Sequence, residues 1–322
     1  MKTVVLYNPG QAENLIIEDR PVPIPNAGEV LIKIKAFGLN RSELMTRKGF
    51  SPSVKFPRVL GIECVGEVEG DPSGQYSKGQ KVMAFMGEMG RAYDGSYAEY
   101  TSVPKQITYP FESTLPWEVL GAIPEMFQTV HGSLVLALDI KHKETLLIRG
   151  GTSSVGLLAA QLARNRGLTV IATTRKPGKE QQLTVNGASH VIIDDGEIAP
   201  RLREIYPEGI EKVLELVGTR TLKDSLKCLK AGGTACMTGM LSESWSLKEF
   251  SPMEFIPAAV RLTVYDSGQL RSPVTAFQKF IEAVENGKIK LSIGRVFNLN
   301  EIVEAHQLME SNQANGKIVV IT

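Results

Sequence analysis

The chain has 322 residues, 43% of them hydrophobic, enough for about two domains with substantial cores, and a formal net charge of +1 from interspersed acids and bases. That balance offers no field for nucleic acid or an anionic membrane, and no apolar run is long enough for a signal sequence or a bilayer span, so a soluble cytoplasmic protein acting on a small molecule is expected. Cys64, Cys228 and Cys236 are scattered without a Cys-x-x-Cys pair, and His131, His142, His190 and His306 lack metal-ligand spacing, which argues against a disulfide framework and against any metal site.

Up to about residue 110 the chain reads as β. Thr3–Tyr7, Leu15–Ile17, Glu29–Ala36 and Cys64–Val68 are short β-rich runs punctuated by proline and glycine. The alternation in Val30-Leu-Ile-Lys-Ile-Lys predicts a half-exposed strand, and the turns Asp71-Pro-Ser-Gly and Lys78-Gly-Gln-Lys lead to another strand at Val82–Phe85. Together these suggest a small irregular barrel that carries the substrate. Residues 115–134 have helical periodicity, and the crossing into a second domain is placed there.

From 145 onward strands and helices alternate. Strands are expected at 145–149, 168–174, 191–194, 212–217, 234–238 and 261–265, with helices over 155–166, near 178–187, near 198–206 and at 220–229. This is the pattern of a doubly wound parallel sheet with right-handed crossovers. The tail breaks the alternation: helix at 272–285, extended chain at 289–297, helix at 299–311 and a final strand from Lys317, returning to the first domain.

The organising stretch is Leu146-Leu-Ile-Arg-Gly-Gly-Thr-Ser-Ser-Val-Gly156. A buried strand ends at two glycines, and small hydroxyl residues open a helix whose unpaired N–H groups and positive dipole end favour an anion. With Gly151, Ser153 and Gly156 in a G-x-G-x-x-G frame the middle glycine is missing, so the turn alone matches the dinucleotide fingerprint weakly. The next strand ends in Thr174-Arg175-Lys176, with Lys179 nearby, where NAD sites usually place an acid for the ribose 2′-hydroxyl. Hydroxyl and cationic donors there suit a 2′-phosphate, and NADPH is the expected cofactor.

Gly38-Leu-Asn-Arg-Ser-Glu-Leu44, Arg47-Lys-Gly49, Pro57-Arg-Val-Leu-Gly-Ile-Glu63 with Gly66, Gly95-Ser-Tyr-Ala-Glu-Tyr100, the phosphate turn and Gly316-Lys-Ile-Val-Val320 follow one another along nearly the whole chain. In that order they resemble the medium-chain dehydrogenases/reductases, and within them the zinc-free quinone oxidoreductases of the zeta-crystallin type. The resemblance implies an α/β protein. A GroES-like irregular β-barrel catalytic domain (1–118 and 266–322) would accompany a Rossmann doubly wound parallel-sheet cofactor domain (119–265). Zinc-dependent members carry a cysteine at or beside Asn40 and a Gly-His-Glu where this chain has Gly61-Ile62-Glu63. They also have a four-cysteine lobe that is absent between Met86 and Tyr93, so no metal is expected.

The implied reaction is hydride transfer from NADPH to a quinone or an α,β-unsaturated carbonyl held between the domains. Asn40 is the first candidate for the donor to the acceptor oxygen and Ser42 the second, with Phe50, Glu63, Tyr93 and Met126 around the substrate. Glu63 would order the wall rather than act as a base. Family contact positions for the cofactor are Thr129, Gly151, Thr152, Ser153, Ser154, Val155, Gly156, Thr174, Arg175, Lys179, Thr238, Gly239, Met240, Tyr265 and Lys317. Phe50 stands near a tyrosine of the relatives, which weighs against the alternative of an enoyl-thioester reductase. Asp194 stands where many relatives have tyrosine. A non-enzymatic, crystallin-like NADPH-binding protein is the other alternative, and the strand at 261–265 is the expected edge of a homodimer.

Overall fold

The computed structural model describes all residues, Met1–Thr322, and resolves into two units: Met1–Met126 with Pro273–Thr322, and Phe127–Ser272. The sequence-derived borders, 118/119 and 265/266, lie somewhat earlier at each crossing.

The first unit begins with β1 (Lys2–Leu6) and β2 (Leu15–Asp19), an antiparallel pair. Then come β3 (Glu29–Gly38), α1 (Arg41–Arg47), β4 (Glu63–Gly70), β5 (Lys81–Phe85), β6 (Tyr100–Pro104), β7 (Thr108–Pro110) and α2 (Trp117–Leu120). β3 departs from its expected half-exposed character. Of Val30 to Ala36 only Lys33 is exposed, because β3 is central: it pairs with β4, with β6 and with a strand from the end of the chain. A central strand buries both faces, and Lys35 is half-buried in an ion pair with Glu67 of β4.

The helical stretch at 115–134 is interrupted rather than continuous. After α2 the chain turns at Gly121, starts α3 (Pro124–His131) with proline at its first position, and continues into a π-helical turn at Gly132–Ala137. Gly132 faces the Tyr265 ring so closely that a Cβ would stand 2.2 Å from it, so no larger residue fits there.

The second unit holds β8 (Thr145–Arg149), α4 (Ser154–Asn165), β9 (Thr169–Thr174), α5 (Glu180–Val185), β10 (His190–Ile193), α6 (Ala199–Ile205), β11 (Ile210–Glu215), α7 (Thr219–Lys227), β12 (Leu229–Met237), α8 (Pro252–Phe255) and β13 (Arg261–Val264). All six strands are parallel, in the order β10-β9-β8-β11-β12-β13. Counted from β8 this is 3-2-1-4-5-6, the Rossmann order, whose switch point lies at the carboxyl ends of β8 and β11. Val170, Ile171, Val213, Leu214 and Ala235 are fully buried, which fits strands covered on both faces.

The chain then returns to the first unit through α9 (Val274–Glu285), β14 (Ile293–Asn298), α10 (Ile302–Ser311) and β15 (Lys317–Ile321). β15 runs antiparallel to β3 with Val319 opposite Gly38, and β14 parallel to β15, completing a seven-stranded sheet. The core of this unit gathers Leu6, Ile32, Phe37, Leu60, Val82, Phe297 and Val320. Tyr97 stacks on Phe37 and its hydroxyl lies 2.9 Å from His306 Nε2 of α10. Burial holds His306 down to about 3, so it is neutral at physiological pH. No helix is long and apolar enough to cross a membrane.

Candidate active site

In the second unit the centre of the site is the turn between β8 and α4. Gly150 has φ +86°, a left-handed conformation that favours glycine. A Cβ on Gly151 would stand 2.9 Å from the Ala172 Cβ and 3.1 Å from the Thr173 carbonyl oxygen, and one on Gly156 would stand 2.7 Å from the carbonyl oxygens of Gly150 and Gly151. Both close approaches are against β9 or the turn's own backbone, so these glycines are required. Ser153 caps α4, its Oγ accepting from the Gly156 N–H at 3.0 Å and donating to the Gly150 carbonyl at 2.9 Å.

Counting the turn's N–H groups shows which are free for a ligand. Those of Gly150 and Gly151 go to the Thr173 hydroxyl and carbonyl, that of Ser153 to the Gly150 carbonyl, and that of Gly156 to the Ser153 hydroxyl. Thr152, Ser154 and Val155 are left, each half-exposed at the helix N-terminus. Three N–H groups on the positive end of a helix docked by buried Leu157, Leu158, Ala159, Ala160 and Ala163 form a cradle for an anion, and a pyrophosphate fits its donor chemistry.

Behind the turn lies a closed charge cluster. Arg149, fully buried at the end of β8, donates from Nε and Nη2 to the two oxygens of Asp194 at 2.7 and 2.8 Å, and from Nη1 to Asp224 at 2.5 Å. Nη2 also reaches the Gly196 carbonyl. Burial alone would raise the Asp194 carboxyl, but the guanidinium overrides it and Asp194 sits below the usual carboxylate range. Asp194 is thus part of the scaffold beneath the cradle. Neighbouring Glu215 is completely buried and is pushed up by that burial, although it accepts from Ser225, Thr221 and the N–H groups of Val217 and Gly218.

The end of β9 carries the expected hydroxyl and cationic side chains. Thr174 is buried, its Oγ1 accepting from the Lys176 N–H, whereas Arg175 and Lys176 are exposed and Lys179 is half-buried. After β12, Thr238 pairs with Ser133 at 2.9 Å, Gly239 packs on Leu216 with room for no Cβ, and Met240 is half-exposed. Thr129 is half-buried on α3. Tyr265 is packed inward: its hydroxyl accepts from Gln128 Nε2 at 2.9 Å and lies within hydrogen-bond distance of the Gln128 and Leu270 carbonyls.

The acceptor-side candidates fall in the first unit, and Lys317 falls with them. Asn40 occupies the N-cap of α1 but makes no capping bond. Instead its Nδ2 donates to Glu63 Oε1 at 2.8 Å and to Glu43 Oε1 at 3.3 Å, while its Oδ1 accepts from Lys317 Nζ at 2.6 Å. Lys317 also pairs with Glu63 at 2.7 Å, and Glu63 accepts from the Glu125 N–H. The Lys317 ammonium, expected among the cofactor contacts, is therefore engaged by Glu63 and Asn40. Ser42, half-exposed, donates to Glu43 at 3.2 Å.

Glu43, which the sequence reading did not single out, joins this network. Burial pushes it up to about 7; Lys317 opposes this and Glu63 adds to it. Its place in Arg-Ser-Glu-Leu gave no sign of this, because the charges around it come from β4 and β15. Of the remaining candidates, Met126 is buried, Phe50 is 59% exposed, and the Tyr93 hydroxyl donates to the Gly87 carbonyl at 2.9 Å. No group of three or more His, Cys, Asp or Glu side chains is placed to hold a metal ion.

Comparison with known proteins matches residues 26–113 to the alcohol dehydrogenase GroES-like domain and residues 186–320 to the zinc-binding dehydrogenase family. Human quinone oxidoreductase is 26% identical over all of this chain and 98% of its own. The mycobacterial protein Rv1454c, solved in complex with NADPH, is 27% identical with a TM-score of 0.88, each chain covered fully. The Escherichia coli quinone oxidoreductase, also solved with NADPH, superposes with a TM-score of 0.90 at 23% identity over both full chains, a likeness of fold.

Proposed function

From the premise that this chain belongs to the medium-chain dehydrogenase/reductase superfamily, we propose that it is a zinc-independent reductase that uses NADPH to reduce a quinone or an α,β-unsaturated carbonyl compound. The observation that carries the reading is an anion cradle at α4 followed, one strand later, by Thr174-Arg175-Lys176 with no acid. The NADPH complexes of the mycobacterial and Escherichia coli proteins support it.

The N–H groups of Thr152, Ser154 and Val155 hold the pyrophosphate, and Arg175 with Lys179 holds the 2′-phosphate. Bound NADPH supplies the hydride. The chain's own residues bind, orient and stabilise charge. Asn40 redirects the amide proton of its longer, 3.3 Å bond to Glu43 toward the developing negative charge on the acceptor oxygen, with Ser42 beside it, while Lys317 and Glu63 keep the orientation of that amide. Asn40 and Ile62 offer a zinc ion neither thiolate nor imidazole, so polarisation of the acceptor falls to hydrogen bonds. β13 is an edge strand with Val264 63% exposed, which supports pairing of two copies there; light scattering of the purified protein should give twice the chain mass.

Following NADPH oxidation against a panel of quinones and enones tests the activity. Acceleration by some of these acceptors, faster with NADPH than NADH and without stoichiometric zinc, is the expected result. Binding of NADPH with no acceptor that speeds its loss would leave only a binding protein and would overturn the enzymatic reading.

A further inference from the structure

Thr173, one residue before the expected ribose contact, is 1% exposed and joins the closed charge cluster to the phosphate turn. Its hydroxyl donates to Asp194 Oδ2 at 3.3 Å, the oxygen that also accepts from Arg149 Nε at 2.7 Å. The same hydroxyl accepts from the Gly150 N–H at 3.1 Å, and the Thr173 carbonyl accepts from the Gly151 N–H at 3.0 Å. A hydroxyl has one proton, so giving it to Asp194 turns a lone pair toward Gly150. Arg149 and Asp194 thereby set the direction of a bond that ends on the backbone of the turn.

Building on the proposed NADPH site, we infer that Thr173 is a positioning residue for the cofactor pyrophosphate. By fixing both glycine peptides it decides where Thr152, Ser154 and Val155 present their N–H groups. Neither glycine has a side chain of its own to hold it, and Gly150 lies in the left-handed region, so the peptide orientation must be supplied from outside the turn. Thr173 has no access to solvent or ligand; it acts only through the turn. Valine has nearly the same volume, yet it would leave the Gly150 N–H without its acceptor, while Asp194 keeps its bonds from Arg149.

The test compares wild type, T173V, T173A and T173S by titration with NADPH and with 2′-AMP, which carries the ribose phosphate but no pyrophosphate, alongside thermal unfolding. T173V and T173A are expected to weaken NADPH binding roughly tenfold and to leave 2′-AMP within about twofold, with T173S restoring NADPH binding to within about threefold of wild type. Unchanged NADPH binding in both variants would overturn the inference. Equal loss of NADPH and 2′-AMP would also overturn it, because it would mark a general disturbance of the unit. A wild-type protein that binds neither ligand would instead remove the NADPH reading on which the inference rests.

Discussion

From the carboxyl edge of the same parallel sheet, turns lead into α4, α6 and α7, and the N–H groups of these entries are satisfied in two different ways. In the turn before α7 the Glu215 carboxyl accepts the N–H groups of Val217 and of the N-cap Gly218 at 2.7 and 3.0 Å. At α6 Asp224 accepts those of Ile198 and Ala199 at 2.9 and 3.3 Å. An internal carboxyl thus stands at the entry to both of these helices. At α4 the neighbouring side-chain oxygen is the neutral Ser153 hydroxyl, and three N–H groups are left over. The sheet edge presents several positive helix ends; the chain sets its own carboxyl at the entry to α6 and to α7 and none at the entry to α4, which is left for an external anion. The difference teaches that an anion site is defined as much by what is absent from its neighbours as by its own glycines.

The contrast depends on Arg149, which balances the acids that fill the other ends, so breaking that balance should have the largest effect. Arg149→Met would leave Asp194 and Asp224 buried without their cation. A loss of about 3–5 kcal/mol in urea unfolding is expected. A cost below about 1 kcal/mol would mean that the acids do not need the guanidinium and that the filled ends are not held as described.

Glu43 sharpens the same contrast from the other unit. It lies in the first turn of α1, buried like Glu215; Lys317, Glu63 and Tyr97 are titratable groups around it, and the buried Arg47, one turn further along α1, turns its guanidinium to Gly10 and Glu310. Its folded value of about 7 lies above the ordinary 4.5. An acid whose value is raised by folding contributes stability that is complete below the unfolded value and is lost as pH rises through the folded one. Between about pH 4.5 and pH 7 this loss should approach about 3 kcal/mol, and Glu43→Gln should flatten the slope in unfolding experiments across that window. An unchanged slope would show that Glu43 is ionised throughout.

Much of this was legible in the sequence because it rests on local patterns. The alternation of apolar strands and helices from 145 to 265, the two glycines after Ile148 and the basic end of β9 are all readable over short windows. What was not legible comes from pairings across long separations. Arg149 meets Asp194 and Asp224 only once the sheet forms, and Lys317 meets Glu63 across 254 positions. β3 reads as half-exposed because its lysines alternate with apolar residues; its central place depends on a strand from the far end of the chain. Tyr265 sits at a position resembling a cofactor contact, but the small Gly132 opposite draws its ring inward.

Two substitutions at the open end test the contrast on ligand binding. Ser153→Asp would give α4 the carboxylate that α6 and α7 already have. NADPH affinity should fall by about a hundredfold through like-charge repulsion, while thermal stability holds or rises by about 0.3–1 kcal/mol from the helix dipole. Arg175→Ala should weaken NADPH about ten- to a hundredfold and leave NADH nearly unchanged, in parallel titrations. Equal losses for the two cofactors would remove the 2′-phosphate from this strand end.

The smallest effect is expected from Ser153→Ala, and it decides what the aspartate variant means. The serine hydroxyl closes the turn with two bonds, to the Gly156 N–H and the Gly150 carbonyl, and alanine removes both. α4 itself should persist, since its buried face from Leu157 to Ala163 holds it on the sheet. Loss of the cap should therefore cost about 1 kcal/mol in thermal unfolding. The released Gly156 N–H becomes one more donor at the helix end, so NADPH affinity should change by no more than about threefold. If Ser153→Ala instead lost NADPH as severely as Ser153→Asp, the aspartate would be acting by removing the serine and not by its charge. The distinction between filled and open helix ends would then fail at the one end where it can be measured by binding.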